Sequence, residues 1–469
     1  MRRILSLTVV LMALACAPAS AQVPTLEPPF NGDYSVNDLG LPVGVSPRLG
    51  GLTLKAGTTD KLLLGGLADE AGGTLYEVTV ARNPQGHISG FVGTAKVYAA
   101  APFVDGGVDY GPGNVLFVAR WPSNELSEFK PGSAAADKVI PMGPFGVPSL
   151  VANRFVPAGS PGDGRLKLVS YSDGQWYDAS VTPDGAGTYN LAGVKNVPGA
   201  TLSGGAVGFV YVGQGSAQFA RPSMLVSEYG AGQVAAYAVD ANGDPIVSTR
   251  RTFITGLSGA DGAFIDPVTG DFLFSTFGSG DRVVVVSGFA KPLPPPVAGK
   301  KVNAVPAGGT VKVKLPGKKG FTTLKVGEQI PVGTTVDTTK GRITLVTAAK
   351  GSNTFQGDFY AGIFKIGQAK KSKLTTLTLT QKLSCAGAGK ANVARKKKRR
   401  RRLWGDGHGR FRTKGRNSAA TVLGTKWLVE DTCTTTTTTV KRGKVKVRDF
   451  VKKKTVIVKA GHKYVARAR

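Results

Sequence analysis

Apolar residues along this chain fall in short blocks, often alternating with polar ones, and glycine, aspartate or serine separates one block from the next. Blocks of that length and period predict β-strands joined by tight turns, and no stretch carries a helical period long enough to predict a helix. Five segments align on one leucine: KLLLGGLADEAGGTLYEVTV at Leu62, NVLFVARWPSNELSEFK at Leu116, RLKLVSYSDGQWYDASV at Leu168, SMLVSEYGAGQVAAYAV at Leu225 and DFLFSTFGSGDRVVVV at Leu273. The leucines are 54, 52, 57 and 48 residues apart, and each segment reads as strand, turn, strand. A repeat of about 50 residues built from antiparallel strands predicts a β-propeller, each blade one small sheet. Five blades are visible. Residues 23–50 with a strand near Val283 to Phe289 could supply a sixth that closes the ring, and a pair of β-sandwiches is the competing architecture.

From Val311 the pattern changes. Strands such as TVKVKL, KGRITLVTA, KLTTLTLT, KVKVRDF and KTVIVKA alternate lysine or threonine with Val, Leu or Ile, as in a sheet packed on one side and wet on the other. Between the two patterns lies KPLPPPVAGK, Lys291 to Lys300, in which Pro294 to Pro296 fix φ and remove donors. The expected organisation is all-β: a leader at 1–21, a propeller of five or six blades at 22–290, a Pro-rich linker at 291–309 and a basic β-sheet domain at 310–469. For a chain of 469 residues, two or three domains are expected.

Charge sharpens that division. Residues 22–299 hold 17 Lys and Arg against 23 Asp and Glu, net −6, whereas residues 300–469 hold 41 against 7, net +34. The leader has the form of a secretory signal: Arg2 and Arg3, an apolar stretch from Ile4 to Ala15, then Ala19-Ser20-Ala21, which places the mature start at Gln22. Lipidation at Cys16 is the second reading of the same segment. No later apolar run is long enough to span a bilayer. The expected location is therefore secreted, cell-surface or periplasmic. Removing the leader leaves Cys385 and Cys433, an even pair that in an exported protein reads first as a disulfide and second as a metal or redox site.

The segments resemble the blades of NHL-type and gluconolactonase-type propellers, most of all ADGAFIDPVTGDFLFSTFG, Ala260 to Gly278. That resemblance implies a candidate divalent-metal site for a lactonase-like hydrolase. Asp105 in DGGVDYG and Asp261 in DGAFID hold similar places in their blades, and Glu228 follows a second strand, so these three are the candidate oxygen ligands. The plainer account of the Asp-Gly pairs is turn formation. Other chemistry fits less well. AGSPG, Ala158 to Gly162, lacks the following helix of a nucleophile elbow, and DANGD, Asp240 to Asp244, lacks the glycine and terminal glutamate of a calcium loop and reads as a hairpin turn. His87 is the one histidine of the acidic half.

In the basic half, GEQIPVGTTVDTTKGRITL, AATVLGTKWLVEDT, VKRGKVKVRD and VIVKAGHKYVA together resemble the FecR-like domain. The resemblance implies a periplasmic or exported protein, with envelope signalling as one role, although the membrane helix and cytoplasmic segment of signalling members have no counterpart here. An insertion, RKKKRRRR, comprises Arg395, Lys396, Lys397, Lys398, Arg399, Arg400, Arg401 and Arg402, followed by a Gly-rich turn with Trp404 and Phe411. Such a run is expected to be solvated, or to bind anionic cell-envelope polymers or other extracellular polyanions. Trp427, in the alternating strand GTKWLV, is expected in the core, and Thr434 to Thr439 in a solvent-facing strand or hairpin. The function expected from these signals is non-enzymatic binding at the envelope, with an unidentified ligand or partner protein at the propeller. A metal-dependent lactonase-like hydrolase and an accessory regulator of envelope signalling are the alternatives.

Overall fold

The computed structural model describes residues 23–468 except 214, 220, 279, 292, 325–326, 350–353, 384, 386–399 and 423–424; the leader and Cys16 lie outside the described residues. Five sheets form the acidic half. The aligned leucines are the second strands of the five blades: Leu62 in Lys61–Gly66, Leu116 in Leu116–Arg120, Leu168 in Leu166–Ser170, Leu225 in Ser223–Glu228 and Leu273 in Phe272–Thr276. All five leucines are buried, because the faces of a blade are covered by its neighbours in the ring. The innermost strands are Leu52–Leu54, Val104–Tyr110, Leu150–Phe155, Ala206–Tyr211 and Ala260–Ile265.

Ring closure sets the blade count at five. Ser35–Gly40 pairs with Val283–Ser287, so the two segments expected to make a sixth blade meet as the outer strands of the fifth. Thr25–Leu26 adds an edge to the fourth blade by pairing with Arg251–Thr255. The start of the propeller thus fastens its end, and the closing strand hydrogen-bonds to a segment more than 240 residues distant in sequence.

The hub of the ring is built from backbone. A Cβ on Gly262 would lie 2.7 Å from the Gly50 carbonyl oxygen, and one on Gly106 would lie 2.7 Å from Asp261 Oδ1. Only hydrogen fits where the inner strands converge. Toward the far ends of these strands, the buried Arg154 donates to the carbonyls of Phe209 and Ala263, each at 2.5 Å, and pairs with Asp109 at 3.3 Å. One guanidinium therefore ties the third blade to the fourth, fifth and second.

The basic half is one 15-stranded sheet that folds over on itself into a nearly closed, barrel-like body. Thr335–Ala348 is the pivot: Lys301–Lys314 runs along one edge, and the other edge is shared by Thr354–Tyr360 and Ile363–Gln368. Two layers diverge from there. One continues through Thr375–Leu379, Phe411–Lys414, Ser418–Val422, Lys444–Asp449 and Thr455–Lys459; the other through Arg400–His408, Thr425–Thr432, Thr435–Arg442 and Lys463–Arg467. A single apolar cluster fills the space between them, with Phe359 5.2 Å from Phe411 and 6.0 Å from Trp427 by ring centroid. Trp427 is fully buried and its Nε1 donates to Thr413 Oγ1 at 3.0 Å, which links the layers. None of the buried clusters draws on both halves of the chain among the described residues.

Three expectations are corrected here. Residues 301–309, expected in the linker, form most of the strand Lys301–Lys314, because an edge of the pivot strand is available to pair them. The prolines are also fastened rather than free: Asn303 donates to Pro294 O, and Gln329 to Pro294 O and Pro295 O, each at 3.0 Å. The Gly-rich segment after the cation run is not a turn but the interior strand Arg400–His408, whose Gly405 leaves room for the Trp427 ring, and Phe411 is buried rather than presented. The Thr run does form a strand, Thr435–Arg442, yet Thr436 and Thr438 point inward and are fully buried.

Cys385 and Cys433 form the disulfide, with Cα atoms 5.6 Å apart across 48 residues of sequence. Closing a loop of that length restricts the unfolded chain by about 4 kcal/mol in the chain-entropy model. Cys433→Ser is accordingly expected to lower the stability of the basic domain by roughly 2–4 kcal/mol in urea unfolding, and reductant should do the same to the wild type but not to the variant. For the hub, Gly262→Ala is expected to cost the propeller about 1–3 kcal/mol, since the intruding methyl meets backbone that cannot rotate away.

Candidate functional site

At the end of the ring where the inner strands begin, each blade repeats one device. The residue after the second strand donates its N–H to a carbonyl just ahead of or beside the inner strand: Leu67 to Pro47 (3.1 Å), Trp121 to Phe103 (3.0 Å), and Tyr171, Tyr229 and Phe277 to Ser149, Gly205 and Gly259 (2.8 Å each). These five side chains rim the mouth of the propeller. Four are aromatic and packed edge to face, with centroids 6.2 Å apart for Trp121 and Tyr171, 6.3 Å for Tyr171 and Tyr229, and 5.7 Å for Tyr229 and Phe277. Arg48 completes the arc with its guanidinium carbon 4.7 Å from the Phe277 centroid while it pairs with Glu70. The rim was present in the aligned segments as the shared ending L, W, Y, Y, F after each second strand, a signal that the leucine alignment alone does not use.

Below the rim the structure brings together Asp105 and Asp261, two of the three candidate ligands, and adds Asp69, which the sequence reading did not single out. Asp105 and Asp261 occupy the second positions of their inner strands and are 5% and 3% exposed. Burial pushes both carboxyls well above the ordinary range, and the neighbouring charges reinforce it: Asp261 and Asp69 act on Asp105, and Asp69 and Asp281 act on Asp261. Asp69 is raised to about 7, first by burial, against the attraction of Arg48. Asp105 accepts the Gly106 N–H at 2.8 Å, whereas Asp261 Oδ1 and Asp69 Oδ1 have no hydrogen-bond partner among the described residues. Burial thus biases Asp105 and Asp261 toward their protonated forms, and Asp69 less strongly because Arg48 attracts its charge.

Glu228 is held apart from this group. Its two oxygens receive Arg250 at 2.9 and 2.5 Å, Tyr237 at 2.7 Å and Gln233 at 2.9 Å, so its acceptor capacity is taken up by a buried ion pair. Among the described residues, no three His, Cys, Asp or Glu side chains converge as a metal site. The three candidate ligands are therefore not brought to one point among the described residues, whereas a divalent cation needs several oxygen ligands converging on it. The remaining motifs are structural. Asp240 of DANGD caps the N–H groups of Asn242 and Asp244 in a turn, and Asp244 pairs at 2.5 Å with the fully buried Lys167. His87 Nδ1 lies 2.7 Å from Asp271 Oδ2.

In the cation run, Arg395, Lys396, Lys397, Lys398 and Arg399 lie outside the described residues. Arg401, expected to be available to a polyanion, instead points inward to the fully buried Asp431, at 3.0 Å through Nε and 2.9 Å through Nη2, and donates to Gln381 O. Its charge is already neutralised. Arg400 and Arg402 point outward, and Arg402 lies opposite Glu430 across the strand pair.

A cation surface that the sequence reading did not isolate lies on the other layer. Along the outward face from Ile363–Gln368 to Thr455–Lys459 stand Lys365, Arg412, Lys414, Lys444, Lys446, Arg448 and Lys459, and no carboxylate stands among them; the one acidic residue of these strands, Asp449, is buried. The opposite layer mixes its charges: Asp406 pairs with Arg442 and Lys426, and Asp358 with Arg342.

No protein-family model matches the chain, and no curated protein matches it. Solved structures similar to it include the PQQ domain of pyranose dehydrogenase from Coprinopsis cinerea, at 11% identity and TM-score 0.31, covering 58% of this chain and 99% of that one. An auxiliary nutrient binding protein from Bacteroides ovatus aligns at 10% identity and TM-score 0.32 over 54% of this chain and 76% of its own, and streptogramin B lyase at 9% and 0.28 over 55% and 98%. Such values carry no argument about function. The strand order itself defines the class: a five-bladed β-propeller joined to a basic, barrel-like β domain.

The raised carboxyls set a pH dependence. The folded state holds protons on Asp69, Asp105 and Asp261 that the unfolded chain releases near the ordinary value of 3.8, so stability falls as pH rises, over the window from about 4 to 7 for Asp69. Asp261→Asn removes one of these groups. Its melting temperature is expected to exceed that of the wild type at pH 8, with the gap closing or reversing at pH 4; equal gaps at both values would show that the site does not store protons.

Proposed function

We propose that this is an exported binding protein rather than an enzyme, in which the propeller mouth meets a ligand or partner and the basic sheet holds the molecule to anionic polymers of the cell envelope. The observation that carries the reading is the segregation of charge on the basic domain: one outward layer carries cations with no exposed carboxylate, while the opposite layer mixes the two signs. Cations that repel one another across neighbouring strands weaken the fold unless an external anion compensates them. The disulfide suits an oxidising compartment, and among the described residues no helix is long and apolar enough to cross a membrane. The signal-like leader supports the same location. The FecR-like resemblance of residues 310–469, which rests on the motifs quoted above, adds accessory envelope signalling as a role compatible with that location.

The competing reading is a metal-dependent lactonase-like hydrolase. It requires further ligands that the described residues do not bring to Asp105 and Asp261. Elemental analysis of pure protein separates the two: stoichiometric metal, lost in Asp105→Asn and Asp261→Asn, would favour the hydrolase. For the binding reading, protein expressed with its leader is expected to stay with washed cells and to elute with salt, because added ions screen the attraction between exposed charges. Changing Lys444, Lys446, Arg448 and Lys459 together to Gln should shift elution to markedly lower salt. Retention that ignores both salt and these changes would rule out electrostatic attachment through this layer.

A further inference from the structure

The cation layer is corrugated rather than uniformly charged. From Ile363–Gln368 to Lys444–Asp449, strands with outward cations alternate with strands whose outward side chains are short; beyond them Thr455–Lys459 carries Lys459 and the exposed Ile457. Lys365 stands on Ile363–Gln368, then Thr376 and Thr378 on Thr375–Leu379, then Arg412 and Lys414 on Phe411–Lys414, then Ala419 and Thr421 on Ser418–Val422, then Lys444, Lys446 and Arg448 on Lys444–Asp449. The register is exact from strand to strand: Thr421 is paired with Arg412 on one side and Lys446 on the other, and Ala419 with Lys414 and Arg448. Side chains in such pairs project to the same face, so two cation–short–cation rows stack along the strand direction. The result is a trough. Its floor is Ala419 and Thr421, its walls are Arg412 and Lys414 against Lys446 and Arg448, and the walls stand about 9.5 Å apart, two strand spacings.

We infer that this trough seats a single extended chain of a linear polyanion, running along Ser418–Val422 with its anionic groups reached from both walls. This rests on the reading of the basic domain as a polyanion-binding module and adds where, and in what geometry, the polymer lies. Three features favour a chain in a trough over a flat anionic surface. The outward side chains between the walls are short, with Ala419 5% exposed and Thr421 half-buried, the Arg412 Nε donates to the Thr421 hydroxyl at 3.1 Å so that the remaining guanidinium N–H groups and the hydroxyl proton lie side by side for an anionic oxygen, and the walls face each other across the width of one polymer strand. A flat bilayer would meet only the tips of the wall residues and leave the floor unused. Lys414 is steadied by the ring of Phe450, 5.9 Å from its Nζ, at one end of the trough.

The experiment uses full-length mature protein and long-chain inorganic polyphosphate as the probe, with affinity measured across a salt series. Lys414→Gln, Lys446→Gln and Arg448→Gln together are expected to weaken binding about a hundred-fold and to lower the salt slope by about 2. A control with the same charge change on the other layer, Lys441→Gln, Lys463→Gln and Arg467→Gln, should lose less than ten-fold. The decisive variant is Thr421→Leu, which leaves every charge in place and fills the floor; about a ten-fold loss with an unchanged melting temperature is expected. If both triple variants fall equally and Thr421→Leu binds like the wild type, the trough is wrong while diffuse polyanion binding stands. If wild-type protein binds anionic phospholipid vesicles but not polyphosphate, the partner is a membrane surface and this inference fails. No binding to either would overturn the underlying reading as well.

Discussion

The propeller depends on close approach of backbone at its hub. Gly106 and Gly262 sit where inner strands approach so closely that a methyl group would not fit, so five blades can converge at the hub. Arg154 then replaces what a larger ring would fill with water, its guanidinium donating to carbonyls of two other blades and pairing with an aspartate of a third. The acidic cluster follows from the same closeness. Asp105 and Asp261 come together because their strands, from the second and fifth blades, converge at the hub, and burial there desolvates both. A ring held this tightly can keep two carboxyls buried beside a third at a cost in stability that grows with pH.

The basic half solves a different problem, how to keep a net charge of +34 in residues 300–469 folded. Strand alternation sends nearly all of it outward, and the few cations that turn inward find a carboxylate. Asp431 is the clearest case, fully buried and shared by Arg401, the Thr436 hydroxyl and the Arg416 N–H. This node fastens three strands of one layer to the loop between Phe411–Lys414 and Ser418–Val422 in the other, and the disulfide at Cys433 lies two residues from Asp431. Of the other acidic residues, Asp358, Asp406 and Glu430 stand among the mixed charges of the opposite layer, and Asp449 is buried. What is left is a face whose repulsion is not relieved within the molecule.

Much of the fold was legible in the sequence because burial there is periodic. The aligned leucines are all buried in the second strands of the five blades, although Leu225 and Leu273 face the following blade and the other three the preceding one, and Val/Lys alternation such as KVKVRD maps residue for residue onto buried and exposed sides of Lys444–Asp449. The cysteine pair was legible because few cysteines leave few choices. Asp69 was not, since it follows the second strand of the first blade and meets Asp105 only through the packing of that blade against the second. Nor was the strand Arg400–His408: its glycines suggest a turn until Trp427 is seen to occupy the space that side chains would have taken. The charge run misled for a related reason. A string of like charges looks solvated, but a strand directs alternate residues to opposite faces and carried Arg401 to a buried partner.

The sequence by itself determined composition-level facts and local periods: all-β architecture, a repeated strand–turn–strand unit, a division of charge near the prolines and the faces on which lysines lie. These depend on residues near one another in the chain. Tertiary structure alone decided the number of blades, the company of each carboxylate and the alternation of cationic with short-side-chain strands. Each of those depends on which strands become neighbours, and neighbours here come from distant parts of the chain: Ser35–Gly40 beside Val283–Ser287, and Ser418–Val422 between Phe411–Lys414 and Lys444–Asp449. Pairing of that kind is selected by the cooperative closure of a whole sheet or ring, which no local stretch of sequence records.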